Sequence, residues 1–257
     1  MDLLRKLSGQ SAATSDPLPS HPYSPPSIAI PNFVPNDKDT AELLISFSAI
    51  WIPIFGVAWW MASRYNPSLK SLDKIILLWF VLCGCLHVFF EGYFVSTHSH
   101  IGQMQDLFGQ LWKEYARSDS RYLTSDIFVL SAEGMSVAIL GGLSWLMVYF
   151  IGTSSPYRHP VQIMLCMGHV YSDLLYYATA TLDQYWRGVN HCRPEAYYFW
   201  VYFFGMNFIW IVVPTLLLFQ SVFVVAKALS ALDRMAQSMH SNGHISKNPL
   251  GPSSVKP

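Results

Sequence analysis

At 257 residues, the chain is 52% hydrophobic and only 12% charged, about half the ~25% charged share of a soluble domain. Formal net charge is zero, so there is no electrostatic footprint for nucleic acid and no such partner is expected. Apolar residues gather in runs of twenty or more, long enough to cross about 30 Å of hydrocarbon as helices. The fold class this predicts is an all-α integral membrane protein with one compact helical domain.

In chain order, residues 1–38 form a polar, Pro-rich N-terminal tail (PLPSHPYSPPSIAIPNFVPND) with no signal-peptide core, expected to be extended or draped on the membrane. Transmembrane helices are predicted at about 40–62, 72–95, 124–150, 160–182 and 197–228, five spans within a domain of residues 39–228. The loop between the second and third carries Met104, Leu107, Phe108, Leu111, Trp112 and Tyr115 at helical spacing, which predicts an interfacial amphipathic helix. Residues 229–257 read as a disordered C-terminal tail. Cys83, Cys85 and Cys166 lie in apolar segments and Cys192 in a loop, the placement of free thiols rather than a disulfide framework. The 16 Lys and Arg residues divide eight against eight between the two sides, so charge does not set the orientation.

Ionisable groups stand inside these apolar runs. His87 and Glu91 lie in the second span, Glu133 in the third and Asp173 in the fourth, with Asn207 and Trp210 in the fifth. A charge at mid-bilayer costs about 2.5–3.5 kcal/mol, so such residues mark proton paths, ion sites or catalytic centres more often than chance packing. Counting along antiparallel spans at 1.5 Å per residue puts His87, Glu91, Glu133, Asp173 and Asn207 roughly 6–15 Å below one membrane face. That agreement in depth predicts a site enclosed between helices. Singly, His169 or Asp173 is as often a hydrogen-bonded packing group, and His87 and Glu91 at i,i+4 could simply partner each other.

No H-x-x-H-H box, Gly-rich phosphate loop or nucleophilic triad signature is present in the sequence, and no metal is expected. A His, several carboxylates and a Trp in an apolar cavity suit proton chemistry on a lipid-like substrate. Moving an unactivated double bond needs those parts: an acid, a stabiliser for the carbocation and a base, with no redox cofactor.

Several segments also carry a resemblance: NFVPND, HVFFEGYFV, LWKEYARSDSRY, the Glu133 span, GHVYSDLLYY and YYFWVYFFGMNFIWIVVP. Over about residues 32–228 this ordered series resembles the emopamil-binding protein family, the sterol Δ8–Δ7 isomerases of the endoplasmic reticulum. The resemblance implies five transmembrane helices, a homodimer, a luminal N-terminus, a Δ8 sterol substrate among membrane lipids, and inhibition by cationic amphiphilic amines. It assigns catalysis to His87, Glu91, Glu133, Asn207 and Trp210. Tyr115, Asp119, Arg121, Tyr122, Ser136 and Asp173 follow as substrate-binding or supporting residues, Ser136 standing where the family usually has Thr and Gly134 where a bulkier Thr is familiar. Two other readings compete: a non-catalytic sterol or amine-binding protein of the same fold, and a proton-coupled transporter. The latter is disfavoured because no internal repeat is visible.

Overall fold

Every regular element is a helix in the computed structural model, which describes residues 21–241. Asp39 starts α1 (Thr40–Tyr65) by accepting the Glu42 N–H at 2.8 Å. α2 (Ser71–Thr97), α4 (Ile127–Gly152) and α6 (Tyr198–His240) are, with α1, four helices long and apolar enough to cross a membrane. Between α2 and α4 lies the short α3 (Leu107–Tyr115), whose first turn is capped by the Asp106 carboxylate. α5 (Arg158–Arg187) ends at Gly188, which takes a left-handed φ of 67° that only glycine adopts freely.

The fourth predicted span falls within α5, which is helical over 30 residues. It is not among the four apolar helices because one face carries Gln162, His169, Ser172 and Asp173. Gln162, Leu165, Cys166, His169 and Tyr176 form its buried stripe, while Met164, Met167, Tyr171 and Leu174 face outward. The helix is therefore apolar outside and polar inside. α5 packs along α6, and α2 packs against α4. α1 is peripheral: only 6% of its most apolar stretch is covered, against 39% for α2.

Two apolar clusters occupy the two ends of the bundle. One joins Ile76, Phe80, Met147, Ile151, Leu165 and Leu217; the other joins Phe94, Trp112, Tyr122, Val129, Tyr176 and Phe203. The antiparallel helices leave a polar layer between them, at the depth of His87 and His169.

The two chain ends depart from expectation where they are described. Residues 21–38 pack over α3: the Tyr23 hydroxyl donates to Lys113 O at 3.0 Å, Asn36 Nδ2 to Gln110 O at 2.9 Å, and Lys113 Nζ to Val34 O at 2.8 Å. Tyr23 and Ile30 are buried, so this tail contributes to the core. Residues 1–20 and 242–257, the outer parts of both expected tails, lie outside the described residues. Residues 229–240, expected to be disordered, continue α6 as helix. All four cysteines are free.

Candidate active site

Three helices widen where the polar layer lies. Leu86–Glu91 in α2, Ser136–Gly141 in α4 and Tyr198–Met206 at the start of α6 are turns of π-helix. In that geometry each N–H reaches the carbonyl five residues back, which bulges the helix and releases backbone groups. Phe90 O, within the α2 turn, accepts the Trp112 indole N–H at 3.0 Å, and the two rings stack at 4.5 Å. The α2 and α4 turns meet at Gly141, where a Cβ would come within 2.8 Å of Val88 Cγ2 and 3.3 Å of His87 Cβ. A glycine there lets the two wide turns touch.

His87 Nδ1 lies 2.8 Å from both carboxylate oxygens of Glu91. Its other ring nitrogen, Nε2, lies 2.9 Å from His169 Nε2 on α5, with the rings stacked at 5.1 Å. From the connection before α4, the Tyr122 hydroxyl donates to Glu133 Oε1 at 2.6 Å. Burial first, then the neighbouring Glu133 charge, pushes the Tyr122 phenol well above its usual range and keeps it a donor. Asn207 Nδ2 donates to Phe203 O at 2.6 Å and to the Tyr115 hydroxyl at 3.0 Å. Burial likewise raises the Tyr115 phenol. Trp210 packs on Trp79 with centroids 5.3 Å apart.

Nine of the eleven residues singled out from sequence line one cavity of about 230 Å³: His87, Glu91, Tyr115, Tyr122, Glu133, Ser136, Asp173, Asn207 and Trp210. Asp119 and Arg121 do not reach it. They sit behind its wall as a buried ion pair, with Arg121 Nε 2.9 Å and Nη2 2.6 Å from the carboxylate and Nη1 donating to Thr179 Oγ1 at 3.0 Å. Burial opposes the Arg121 charge, but hydrogen bonding and attraction from Asp119 outweigh it and hold the guanidinium above its ordinary range. The same guanidinium lies 5.1 Å from the ring of Tyr176, which does line the cavity. The pair thus braces the cavity wall from outside.

His169, Ser172 and Tyr176 also line the cavity and were not among the residues singled out. They share the face of α5 that carries Asp173, at spacings of three and four, so reading that segment as a helical face would have found them. Phe47 is the contribution of α1.

Cys83 Sγ and the His87 and His169 ring nitrogens lie within 4.8 Å of one another. The two Nε2 atoms are nevertheless 2.9 Å apart, closer than the roughly 3.3 Å that two nitrogens keep on one tetrahedral ion with bonds near 2.0 Å. The contact is that of a hydrogen bond. A larger groove of about 780 Å³ runs between α1, α2 and α4, past Ile54, Leu77, Val81 and Trp145. No carboxylate or histidine lines it, whereas the smaller cavity gathers both.

Residues 107–221 match the sequence model of the EXPERA (expanded EBP) superfamily. The chain is 36% identical over 234 residues to the 3-beta-hydroxysteroid-Delta(8),Delta(7)-isomerase of Rattus norvegicus, covering 89% of this chain and 98% of the rat protein. It is 35% identical to the isomerase of the same name from Cavia porcellus, over 86% of this chain and 96% of that one. A third relative, the protoglabretal synthase of Ailanthus altissima, is 30% identical over 77% of this chain and 89% of its own length. The chain belongs to the EBP family.

Proposed function

We propose that the protein is a 3β-hydroxysteroid Δ8,Δ7-isomerase that moves the sterol B-ring double bond from C8 to C7. The observation that carries this reading is the convergence of His87, Glu91, Glu133, Asn207 and Trp210 on one buried cavity, in a chain similar to named isomerases along most of its length.

The chemistry follows from the contacts. His87, held by Glu91 at Nδ1, supplies the proton that adds at C9 and leaves positive charge near C8. The Trp210 ring face and the Glu133 carboxylate stabilise that cation. A carboxylate–His relay removes a proton from C7, the C7–H electron pair becomes the new double bond, and no proton is consumed overall. Tyr122 holds Glu133 at 2.6 Å, and Asn207, tied to Tyr115 and Phe203 O, fixes the floor of the site. The cavity is smaller than the ~300 Å³ at which drug-sized ligand pockets begin, so a four-ring sterol must displace lining side chains on binding. Cationic amphiphilic amines bind the same place because their ammonium mimics the cation.

In this reading α5 is the fourth of five spans, its polar face turned to the cavity, and α3 lies at the membrane interface on the luminal side. The domain of residues 39–228 works as a homodimer in the endoplasmic reticulum membrane, with membrane lipids around it. The test is incubation of purified protein with cholest-8-en-3β-ol and chromatographic separation of the Δ7 product, with Glu133→Gln alongside. Conversion by the wild type alone supports both the reaction and the role of Glu133. Conversion by both discards Glu133, and binding without conversion by either favours a non-catalytic sterol-binding protein.

A further inference from the structure

We propose that His169 is a positioning residue for His87, the two imidazoles holding protons as one unit across their Nε2···Nε2 contact. Four observations carry it. The contact is 2.9 Å long, and both rings are nearly closed to solvent, at 4% and 1% exposure. The opposite nitrogen of His87 is fully engaged by Glu91 at 2.8 Å. The opposite nitrogen of His169, Nδ1, is buried and has no hydrogen-bond partner. Finally, the two rings come from different helices, α2 and α5, so the contact is made by the fold and not by sequence proximity.

These facts determine where the protons sit when the pair is neutral. A bare lone pair is tolerated in apolar surroundings better than an unanswered N–H. His169 therefore carries its proton on Nε2 and donates it to His87 Nε2, while His87 donates from Nδ1 to Glu91. The order His169 to His87 to Glu91 is a continuous chain of donors. An additional proton entering at His169 Nδ1 lets the Nε2 proton pass to His87, which then carries the charge beside Glu91. In the isomerase reading, on which this kinetic consequence rests, the pair loses one proton toward C9 and regains one from C7, ending each turnover as it began.

The titratable groups around the pair are Cys83 and Glu91 on α2, Glu133 on α4, Asp173 and Tyr176 on α5, and Tyr115 and Tyr122 from the connection. α1 and α6 present only Phe47, Met206, Asn207 and Trp210 to the cavity, none of which titrates. Among the described residues, His169 is thus the one other imidazole in hydrogen-bond contact with His87.

The test uses the full chain in lipid nanodiscs with ¹⁵N-labelled histidine. Among the nine histidines, the two rings are assigned by comparing wild type with His169→Gln and His87→Gln. Glutamine at 169 keeps an amide that reaches His87 Nε2 but cannot take up a proton. The expected result is that His87 and His169 titrate as a coupled pair, and that His169→Gln moves the His87 midpoint by about half a pH unit or more. Turnover gives the second readout: in His169→Gln, kcat falls about tenfold or more, within the range of general acid–base contributions. KM stays within about threefold, and the pH profile of kcat shifts.

An unchanged His87 titration in His169→Gln overturns the proposal, as does a glutamine variant with wild-type kcat and pH profile, since a hydrogen bond alone would then suffice. If the wild type converts no Δ8 sterol, the isomerase reading fails, and the titration still decides the role of His169.

Discussion

Replacing Tyr122 with Phe removes a single oxygen and leaves the ring. Its contacts with Phe94 at 5.1 Å, Trp112 at 4.9 Å and Tyr115 at 5.3 Å are kept, so the cluster under the cavity stays packed. What is lost is the 2.6 Å donor to Glu133 Oε1. If Glu133 works as a carboxylate facing a developing cation, that bond is charge-assisted, and such bonds are worth about 1.5–3 kcal/mol. At about 1.4 kcal/mol per factor of ten, turnover should fall roughly ten- to hundredfold. Sterol affinity should change little, because the hydroxyl serves the carboxylate and not the sterol skeleton. The assay is kcat and KM for Δ8-sterol conversion in detergent or nanodiscs, beside the thermal midpoint as a check on folding. A Tyr122→Phe enzyme within threefold of wild-type kcat would refute the reasoning, since Glu133 would then need no fixed donor.

Three further outcomes are expected. Arg121→Leu leaves Asp119 buried, at 0% exposure, without its cation; breaking such a pair costs about 3–5 kcal/mol, so the variant's thermal midpoint should collapse. Gly141→Ala places a methyl 2.8 Å from Val88 Cγ2 beside His87 and should cost about 1–3 kcal/mol together with turnover, whereas Gly142→Ala, with nothing within 4 Å, should be neutral or slightly stabilising. Lys113 is held down from its ordinary 10.5 to about 8, chiefly by burial, with Asp37 and Asp106 opposing. Between those values the unfolded chain binds the extra proton, so stability should rise as pH climbs from about 8 toward 10.5. The rise should be absent in Lys113→Met, and equal melting curves for both proteins would exclude it.

The helical class and the residues of the cavity were legible because membrane helices obey simple counts. A rise of 1.5 Å per residue is enough to put His87, Glu133, Asp173 and Asn207 at one depth, and the cavity collects all four. Other features depend on facts that counting cannot reach. The tail at 21–38 reads as an extended or membrane-draped segment because its prolines mask Tyr23 and Ile30, two anchors that only acquire a partner once α3 is in place. The family resemblance gives Asp119 and Arg121 a substrate-binding or supporting role, and the extended backbone at Asp119 turns the pair back against Thr179 and Tyr176 instead of into the cavity. His169 carried a signal of its own, an ionisable residue one turn before Asp173, but its importance lies in the partner it meets 82 residues away.

The wide turns explain why the polar layer sits where it does. An ordinary α-helix in lipid satisfies every backbone group within itself and leaves no purchase for a polar cluster. Each π turn relaxes that closure at one depth, and side chains take up what it releases. Trp112 bonds the Phe90 carbonyl, and Asn207 bonds the Phe203 carbonyl at 2.6 Å. The inserted residue also rotates the helix face, so apolar faces can meet their clusters on both sides of the bulge. α5 needs no such turn, because its inner face itself carries the polar Gln162, His169 and Asp173 beside the buried Leu165 and Cys166. The apolar spans α2, α4 and α6 each contribute to the site from within or beside a bulge, and the polar helix contributes from a straight segment. Bulges on three separate helices, each holding or adjoining a cavity residue, are the backbone counterpart of the burial of His87 and Glu133.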